Sequence, residues 1–308
     1  MNEKLSKTEL NSKWILSKRG EKNEVEFRRP YAWLVEKEHQ ASGRIEDTAI
    51  IFLSNKECSF KCLMCDLWKN TSDVSVPPGA IPDQIEWALS QMPPAKHIKL
   101  YNSGSFFDEK AIPRSDYRRI AELLKPFETV IVESHPNLIG EKCLEFRDLI
   151  TGQLEVAIGL ETAHPEILEV LNKQMTLDDF ARGVDFLKSH EISSRAFILL
   201  RPPFMTEKEG IYWAKASIDF AFDCGVGSCT VIPVRGGNGA MEELMRRGDF
   251  EMPKLASLEE VLHYGISLGR GRVFADLWDL ELFSDCQSSF PKRQARLENM
   301  NMQQVIIP

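Results

Sequence analysis

The sequence contains no apolar run long enough to span a bilayer, and its first residues, MNEKLSKTELNSKW, lack the hydrophobic core of a secretory signal. No membrane partner is expected, and the cytoplasm is the expected compartment. There is no repeat of fixed period, no low-complexity tract and no long Pro/Gly/Ser linker, so the 308 residues read as one domain with extensions. Positive charge is not in excess either: 38 Lys and Arg stand against 46 Asp and Glu, a formal net charge of −8. That balance argues against broad adhesion to nucleic acid or to an anionic membrane. The one locally basic stretch, SKRGEKNEVEFRRP from Ser17 to Pro30, reads as a solvated arm.

What the chain does have is alternation. Short apolar, β-branched runs recur as TAIIFLS (Thr48 to Ser54), HIKLYN (His97 to Asn102), TVIVES (Thr129 to Ser134), LEVAIGLE (Leu154 to Glu161), SRAFILLR (Ser194 to Arg201) and SCTVIPV (Ser228 to Val234). Between them lie stretches with helical spacing of apolar residues, such as IPDQIEWALSQM, LDDFARGVDFLKSH and EKEGIYWAKASIDFAFDCG. Continuous apolar strands alternating with helices predict a buried parallel sheet in an α/β fold. Six βα units are too few for a closed eight-stranded barrel. They suit a partial, open barrel or a doubly wound sheet, and in both cases ligands collect at the carboxyl ends of the strands. The expected division is an extension over 1–46, a core over 47–238 and a C-terminal extension over 239–308. The last holds a predicted helix, SLEEVLHYGISLG, and a strand-like RVFADLW.

Cysteine is sparse and unevenly placed. Of seven, three crowd into CSFKCLMC as Cys58, Cys62 and Cys65, with no fourth nearby; the next Cys or His along the chain is His97. Clustered thiols in a reducing compartment point to metal or redox chemistry rather than to disulfides. A structural zinc site would need a fourth ligand, and only distant candidates such as His97 or Cys286 offer one. An iron–sulfur cubane offers four irons, each taking one thiolate, so three cysteines leave one iron open to a substrate. The loop begins where the first predicted strand ends.

C-x3-C-x2-C after the first strand of a βα array resembles the cluster loop of the radical S-adenosylmethionine (SAM) superfamily. The resemblance implies a partial (β/α)6 barrel and a [4Fe–4S] cluster held by Cys58, Cys62 and Cys65, whose open iron chelates SAM. It also implies an external one-electron donor, and a 5′-deoxyadenosyl radical that abstracts hydrogen from a substrate. YNSGSF stands where the superfamily binds the SAM amine, which brings Asn102, Ser103, Gly104 and Ser105 to the site. ESHP is similar to the Glu-x-Asn-Pro of coproporphyrinogen-dehydrogenase-like members, making Glu133 a partner for the amine, while His135 reads as a capping or packing residue. LEVAIGLETAHPEILEVLNKQMTLDDF looks like the matching segment of MiaB-like methylthiotransferases and the Elongator catalytic subunit. That likeness assigns Glu161 to the SAM ribose and Lys173 to its carboxylate. Arg201, in ILLRPPFMTEKEG, faces SAM or an anionic substrate, or else pairs with a carboxylate. Phe60 and Met64 are expected to shield the cluster, Trp68 to line the mouth or anchor the packing, and the glycines of PVRGGNG to permit close approach of a ligand.

YNSGSFFDE, VESHP, LEVAIGLETA, NKQMTLDDF and FILLRPPFMTEKE together resemble the archaeosine-biosynthesis radical SAM proteins over about Ile50 to Val234. Those proteins act on a modified base in transfer RNA with a partner subunit. The net charge does not favour transfer RNA as a direct partner here. The leading expectation is hydrogen abstraction from a small molecule or modified nucleoside. Transfer-RNA base modification with a partner subunit, and a non-catalytic zinc- or cluster-binding scaffold, stand as alternatives.

Overall fold

The computed structural model describes residues 9–307; residues 1–8, which begin the polar stretch read above, and residue 308 lie outside the described residues. The chain runs through α1 (Ser12–Lys18), β1 (Ala32–His39), β2 (Ile45–Phe52), α2 (Ala80–Gln91), β3 (His97–Tyr101), α3 (Tyr117–Leu124) and β4 (Thr129–Ser134). It continues with α4 (Glu141–Leu149), β5 (Gln153–Glu161), α5 (Pro165–Val170), α6 (Leu177–Ser189), β6 (Ser193–Leu200) and α7 (Glu207–Cys224). The last elements are β7 (Ser228–Pro233), α8 (Ala240–Arg247), α9 (Leu255–Ser267), β8 (Arg272–Ala275) and α10 (Phe290–Gln303).

All eight strands form one sheet in the order of the sequence. β1 is antiparallel to β2, and every later pair is parallel. The six predicted strands are β2 to β7. Their continuous apolar character follows from double coverage: β5 is buried at every position but its first. Alternate residues serve two cores. Ile98 and Leu100 of β3 pack into the helix-facing core, as do Val130 and Val132 of β4 and Ile158 and Leu160 of β5. The intervening residues face inward, and contacts between non-adjacent strands show how tightly the sheet curls. The rings of Tyr101 on β3 and Phe197 on β6 lie 6.2 Å apart, and Arg195 of β6 reaches Glu38 of β1 at 2.6 Å. The architecture is therefore an open, partial barrel.

Its interior floor is ionic. Lys99 bonds Glu36 at 2.8 Å and also Glu38. Arg195 bonds Glu155 at 2.8 Å, and Arg272 closes on Glu155 at 3.5 Å and on the His39 carbonyl at 3.1 Å. Glu38, Lys99, Glu155 and Arg195 are all buried. Burial opposes ionisation of Glu38, but Arg195 and then Lys99 overcome it and hold the carboxylate well below its usual range.

Two further strands, β1 and the β8 foreshadowed by RVFADLW, close the structure. β1 escaped recognition because its inward positions carry Glu36 and Glu38, which break the apolar run that marks a buried strand. β8 lies at the sheet edge, and its unpaired edge is covered by carboxamides of α10. Asn301 accepts from the Ala275 amide and donates to the Ala275 carbonyl at 2.9 and 2.8 Å. Gln304, which caps α10, does the same for Val273 at 2.8 and 3.0 Å. Two side chains three residues apart thus stand in for a ninth strand on alternate residues of β8, removing a template for edge pairing.

Breaking one partner of the buried network leaves an unpaired charge, so Glu38→Gln should lower stability near pH 7 by about 3 kcal/mol. The folded carboxylate titrates below the unfolded one, so this stabilisation is fully present above the ordinary glutamate range and declines progressively as pH falls from there toward the lower folded pKa. Urea unfolding of both proteins between pH 7 and pH 3 should show the difference shrinking toward acid; a constant difference would contradict the assignment.

Candidate functional site

The cysteine loop leaves β2 at the carboxyl end of the sheet. Leu53, Ser54 and Asn55 are buried, the chain turns, and Cys58, Cys62 and Cys65 follow before a short helical turn over Leu67–Asn70. Cys62 is buried, and Cys58 and Cys65 are half-buried. Desolvation raises all three thiols, Cys62 to about 11. The counterweights are backbone amides and a cation: the Phe60 amide donates to Cys58, the Leu67 amide donates to Cys65, and the Lys173 ammonium favours the thiolates of Cys58 and Cys62.

Neighbouring elements fix the loop's backbone. The Leu63 amide donates to the Leu171 carbonyl at 2.9 Å, and Asn172 Nδ2 donates to the Lys61 carbonyl at 2.7 Å and to Ser12 Oγ of α1 at 3.0 Å. Phe60 stacks on the His135 ring, centroids 3.7 Å apart and planes 10° off parallel. His135 Nδ1 accepts from the Asn137 amide at 3.2 Å, which leaves Nε2–H to donate to the Lys173 carbonyl at 2.9 Å. Burial lowers its pKa to about 4, so the neutral imidazole is the working form. His135 is a brace between the cysteine loop and the Lys173 segment. The basic arm is a strap: Arg19 and Lys22 pair with Glu57 at 2.7 and 2.8 Å, Arg28 pairs with Asp83, and Arg29 lies over the Trp87 ring. These cations serve internal partners.

Of the residues assigned from sequence, several meet beside this loop. A Cβ on Gly104 would sit 3.3 Å from Cys58 Cβ, so the end of β3 lies against the first cysteine. Glu133 collects the backbone amides there: its Oε1 accepts from Asn102 at 2.6 Å and Gly104 at 3.4 Å, with the Ser103 amide also engaged. Burial nonetheless raises its pKa above the usual carboxylate value. The Asn102 carboxamide is fully buried, and neither its oxygen nor its nitrogen has a hydrogen-bond partner among the described residues. Lys173 Nζ bonds Glu161 Oε1 at 2.5 Å. Burial opposes the Lys173 charge, but Glu161 and then Cys62 raise its pKa above the ordinary lysine value. A register shift between Gly159 and Glu161 and a positive φ of 66° mark Glu161 as the irregular last residue of β5.

Other assigned residues are occupied elsewhere. Ser105 Oγ meets Ser134 Oγ at 2.8 Å, and Ser103 Oγ lies 3.3 Å from the Tyr31 hydroxyl. Arg201 is buried and bonds Glu207 at 2.7 Å, Glu251 at 2.6 Å and the carbonyls of Met205 and Met252. Four of its five N–H donors are used, so the structural pairing considered from sequence is what the geometry shows. Trp68 is buried beneath the Arg19 guanidinium, a packing anchor rather than a mouth residue.

The donor set discriminates between metals. A single tetrahedral zinc draws its thiolates to about 4 Å from one another. Among the described residues, the group of three ligand atoms within 4.8 Å of one another is Glu46, His97 and Glu128; the three cysteine sulfurs do not all lie within that distance of one another. A cluster whose irons each take one thiolate accommodates that spacing. His97 begins β3 at the opposite end of the sheet, where it bonds Glu46 at 3.1 Å beside an open cavity of about 480 Å³, and cannot complete a site with the cysteines. Glu46 there already pairs with Lys96 at 2.6 Å and Arg44 at 3.5 Å.

Residues missed in the sequence line the space above the ionic floor. Phe52 lies 6.0 Å from both Tyr101 and the largely exposed Trp278, and Tyr101 reaches Phe197 across the barrel. At the rim, Arg235 bonds Asp276 at 2.5 Å and Asp279 at 2.9 Å. The available signal was an aromatic at the inward position of otherwise aliphatic strands.

No family model matches the chain. An uncharacterised protein of Methanocaldococcus jannaschii is 28% identical over 213 residues, covering 65% of this chain and 58% of that protein. A protein named archaeosine synthase subunit beta, from Thermococcus kodakarensis, is 28% identical over 211 residues, 65% of each chain; one of the same name from Methanosarcina acetivorans is 28% identical over 218 residues, 65% of this chain and 60% of that one. The chain thus spans less than two thirds of the length of these relatives. Among solved structures, archaeal Elp3 of Methanocaldococcus infernus with an N-terminal deletion aligns with a TM-score of 0.53 at 16% identity, over 71% of this chain and 59% of that one. The fold is the partial barrel of that Elp3 structure.

Gly159 gives the Lys173–Glu161 pair its room: a Cβ there would fall 2.2 Å from Glu161 Oε1 and 2.3 Å from Lys173 Nζ. Gly159→Ala should separate the pair and cost about 1–3 kcal/mol, read as a lower midpoint in chemical unfolding. An unchanged midpoint would mean that the pair is not held as described.

Proposed function

We propose that this chain is a radical SAM enzyme, with Cys58, Cys62 and Cys65 holding a [4Fe–4S] cluster and SAM bound at the carboxyl ends of β3 to β5. The observation that carries the reading is the thiol triplet itself: three desolvated cysteines in one braced loop, their sulfurs not all within 4.8 Å of one another, with a buried ammonium beside them. When bound and reduced by an external one-electron donor, such a cluster would supply the electron for cleavage of SAM to methionine and a 5′-deoxyadenosyl radical able to abstract hydrogen. The chain's share is binding and exclusion of water. Lys173, now bonded to Glu161, would hold the SAM carboxylate, and Glu161 would accept from its ribose hydroxyls. Glu133 keeps one oxygen on the β3 amides and faces the SAM amine, and the buried Asn102 carboxamide finds its partner there. Phe52, Tyr101 and Phe197 keep the reacting space apolar above the ionic floor.

The substrate class that the relatives' names favour is a modified nucleoside of transfer RNA, with a partner subunit. In that arrangement the partner supplies the grip on RNA, since the net charge is −8 and the basic arm is tied to internal carboxylates. A smaller free nucleoside or metabolite needs no such grip.

Anaerobic reconstitution of the wild type should give about four irons and four sulfides per chain and, with a reductant, 5′-deoxyadenosine from SAM. Cys65→Ala should give neither. Uptake of zinc alone, or deoxyadenosine formation by Cys65→Ala, would overturn the proposal. A transfer-RNA nucleoside missing from cells without the gene would fix the second reading; an unaltered nucleoside profile would direct attention to a free metabolite.

A further inference from the structure

The turn after β7, RGGNG, carries glycines that suggest a ligand contact, yet the structure uses them against its own chain. A Cβ on Gly239, whose φ is +84°, would fall 1.9 Å from the Lys18 carbonyl at the end of α1, and one on Gly236 would fall 2.7 Å from Glu242 Oε1. This tight packing delivers Asn238, buried to 3% exposure, beneath the cysteine loop. Its Nδ2 donates to the Leu63 carbonyl at 2.7 Å and to the Cys65 carbonyl at 3.2 Å, and its Oδ1 accepts from the Met241 amide in the first turn of α8 at 2.8 Å. The orientation of the carboxamide follows from its partners: two carbonyls require donors, and an amide requires an acceptor.

We infer that Asn238 is a positioning residue for the cysteine loop, holding the Cys62–Cys65 turn closed through the two carbonyls that flank its last ligand. The inference rests on the reading of these cysteines as cluster ligands for its functional meaning, but not for its test. The Leu63 amide is also tied to the Leu171 carbonyl and the Cys65 amide to the Cys62 carbonyl at 3.3 Å, so the backbone bonds hold the amide side of the turn while Asn238 holds its Leu63 and Cys65 carbonyls. Loss of the Asn238 donor frees both carbonyls, and the turn that buries Cys62 opens toward water. A purely local role as a cap for α8 makes a different demand. Aspartate caps a helix start as well as asparagine does, but it has no proton to give the two carbonyls and sets a negative charge against them.

The discriminating experiment compares wild type, Asn238→Ala and Asn238→Asp as metal-free full-length protein. Alkylation by iodoacetamide is followed by mass spectrometry at Cys62 and Cys65, with buried Cys143 and Cys229 as internal references for global opening. Both variants should alkylate Cys62 and Cys65 about tenfold faster than wild type, Asp at least as fast as Ala, with the reference cysteines unchanged. Wild-type rates in Asn238→Asp would assign Asn238 to helix capping alone. Equal acceleration at all four cysteines would assign it to general stability, and either result overturns the inference. On reconstituted protein, the same variants should lose iron to a chelator faster than wild type. A wild type that binds no cluster counts against the proposed function and leaves the alkylation result standing.

Discussion

The site depends on one constraint: a loop bearing three cysteines within eight residues must be held at the carboxyl end of a sheet with its thiols largely out of water. Such a loop has no secondary structure to satisfy its own carbonyls and amides. The chain answers with partners drawn from distant segments. Asn172 and Leu171 follow α5, Asn238 precedes α8, and the His135 ring comes from the turn after β4. Each is a side chain or backbone group of another βα unit. The curled sheet brings those units together.

Below that loop, the barrel is organised by charge rather than by apolar filling. Glu38, Lys99, Glu155 and Arg195 close the floor, while the aromatics Phe52, Tyr101 and Phe197 stand above it. A buried network of this kind contributes little net stability but permits few alternative arrangements, because any displaced member leaves an unpaired charge. It fixes the inward face of β1, β3, β5 and β6 together, and so fixes the relative heights of the strand ends that carry Gly104, Glu133 and Glu161. The aliphatic residues on the other face then need only fill the space between sheet and helices.

Much of this was legible in the chain. Runs such as TVIVES and LEVAIGLE announce strands covered on both faces, and the thiol triplet marks the loop that leaves the carboxyl end of β2. What stayed hidden has a common cause: side chains that act on partners remote in sequence. β1 reads as polar because Glu36 and Glu38 face Lys99 and Arg195. β8 was announced by the strand-like RVFADLW, but the completion of its edge by Asn301 and Gln304 from a helix was not. Arg201 has the look of an anion-binding residue until Glu207 and Glu251 are seen to take it. The glycines of RGGNG resemble a ligand-binding turn, and only the position of Asn238 shows that the turn serves the cysteine loop.

The central claim is that three cysteines hold a four-iron cluster and leave one iron for SAM. Mössbauer spectroscopy of protein reconstituted with iron-57, recorded with and without SAM, addresses it most directly. The account predicts that the signal of one iron in four moves to a higher isomer shift when SAM is added, while the other three, thiolate-bound, stay in place. Four irons that ignore SAM, or a site that takes up no cluster, would contradict it.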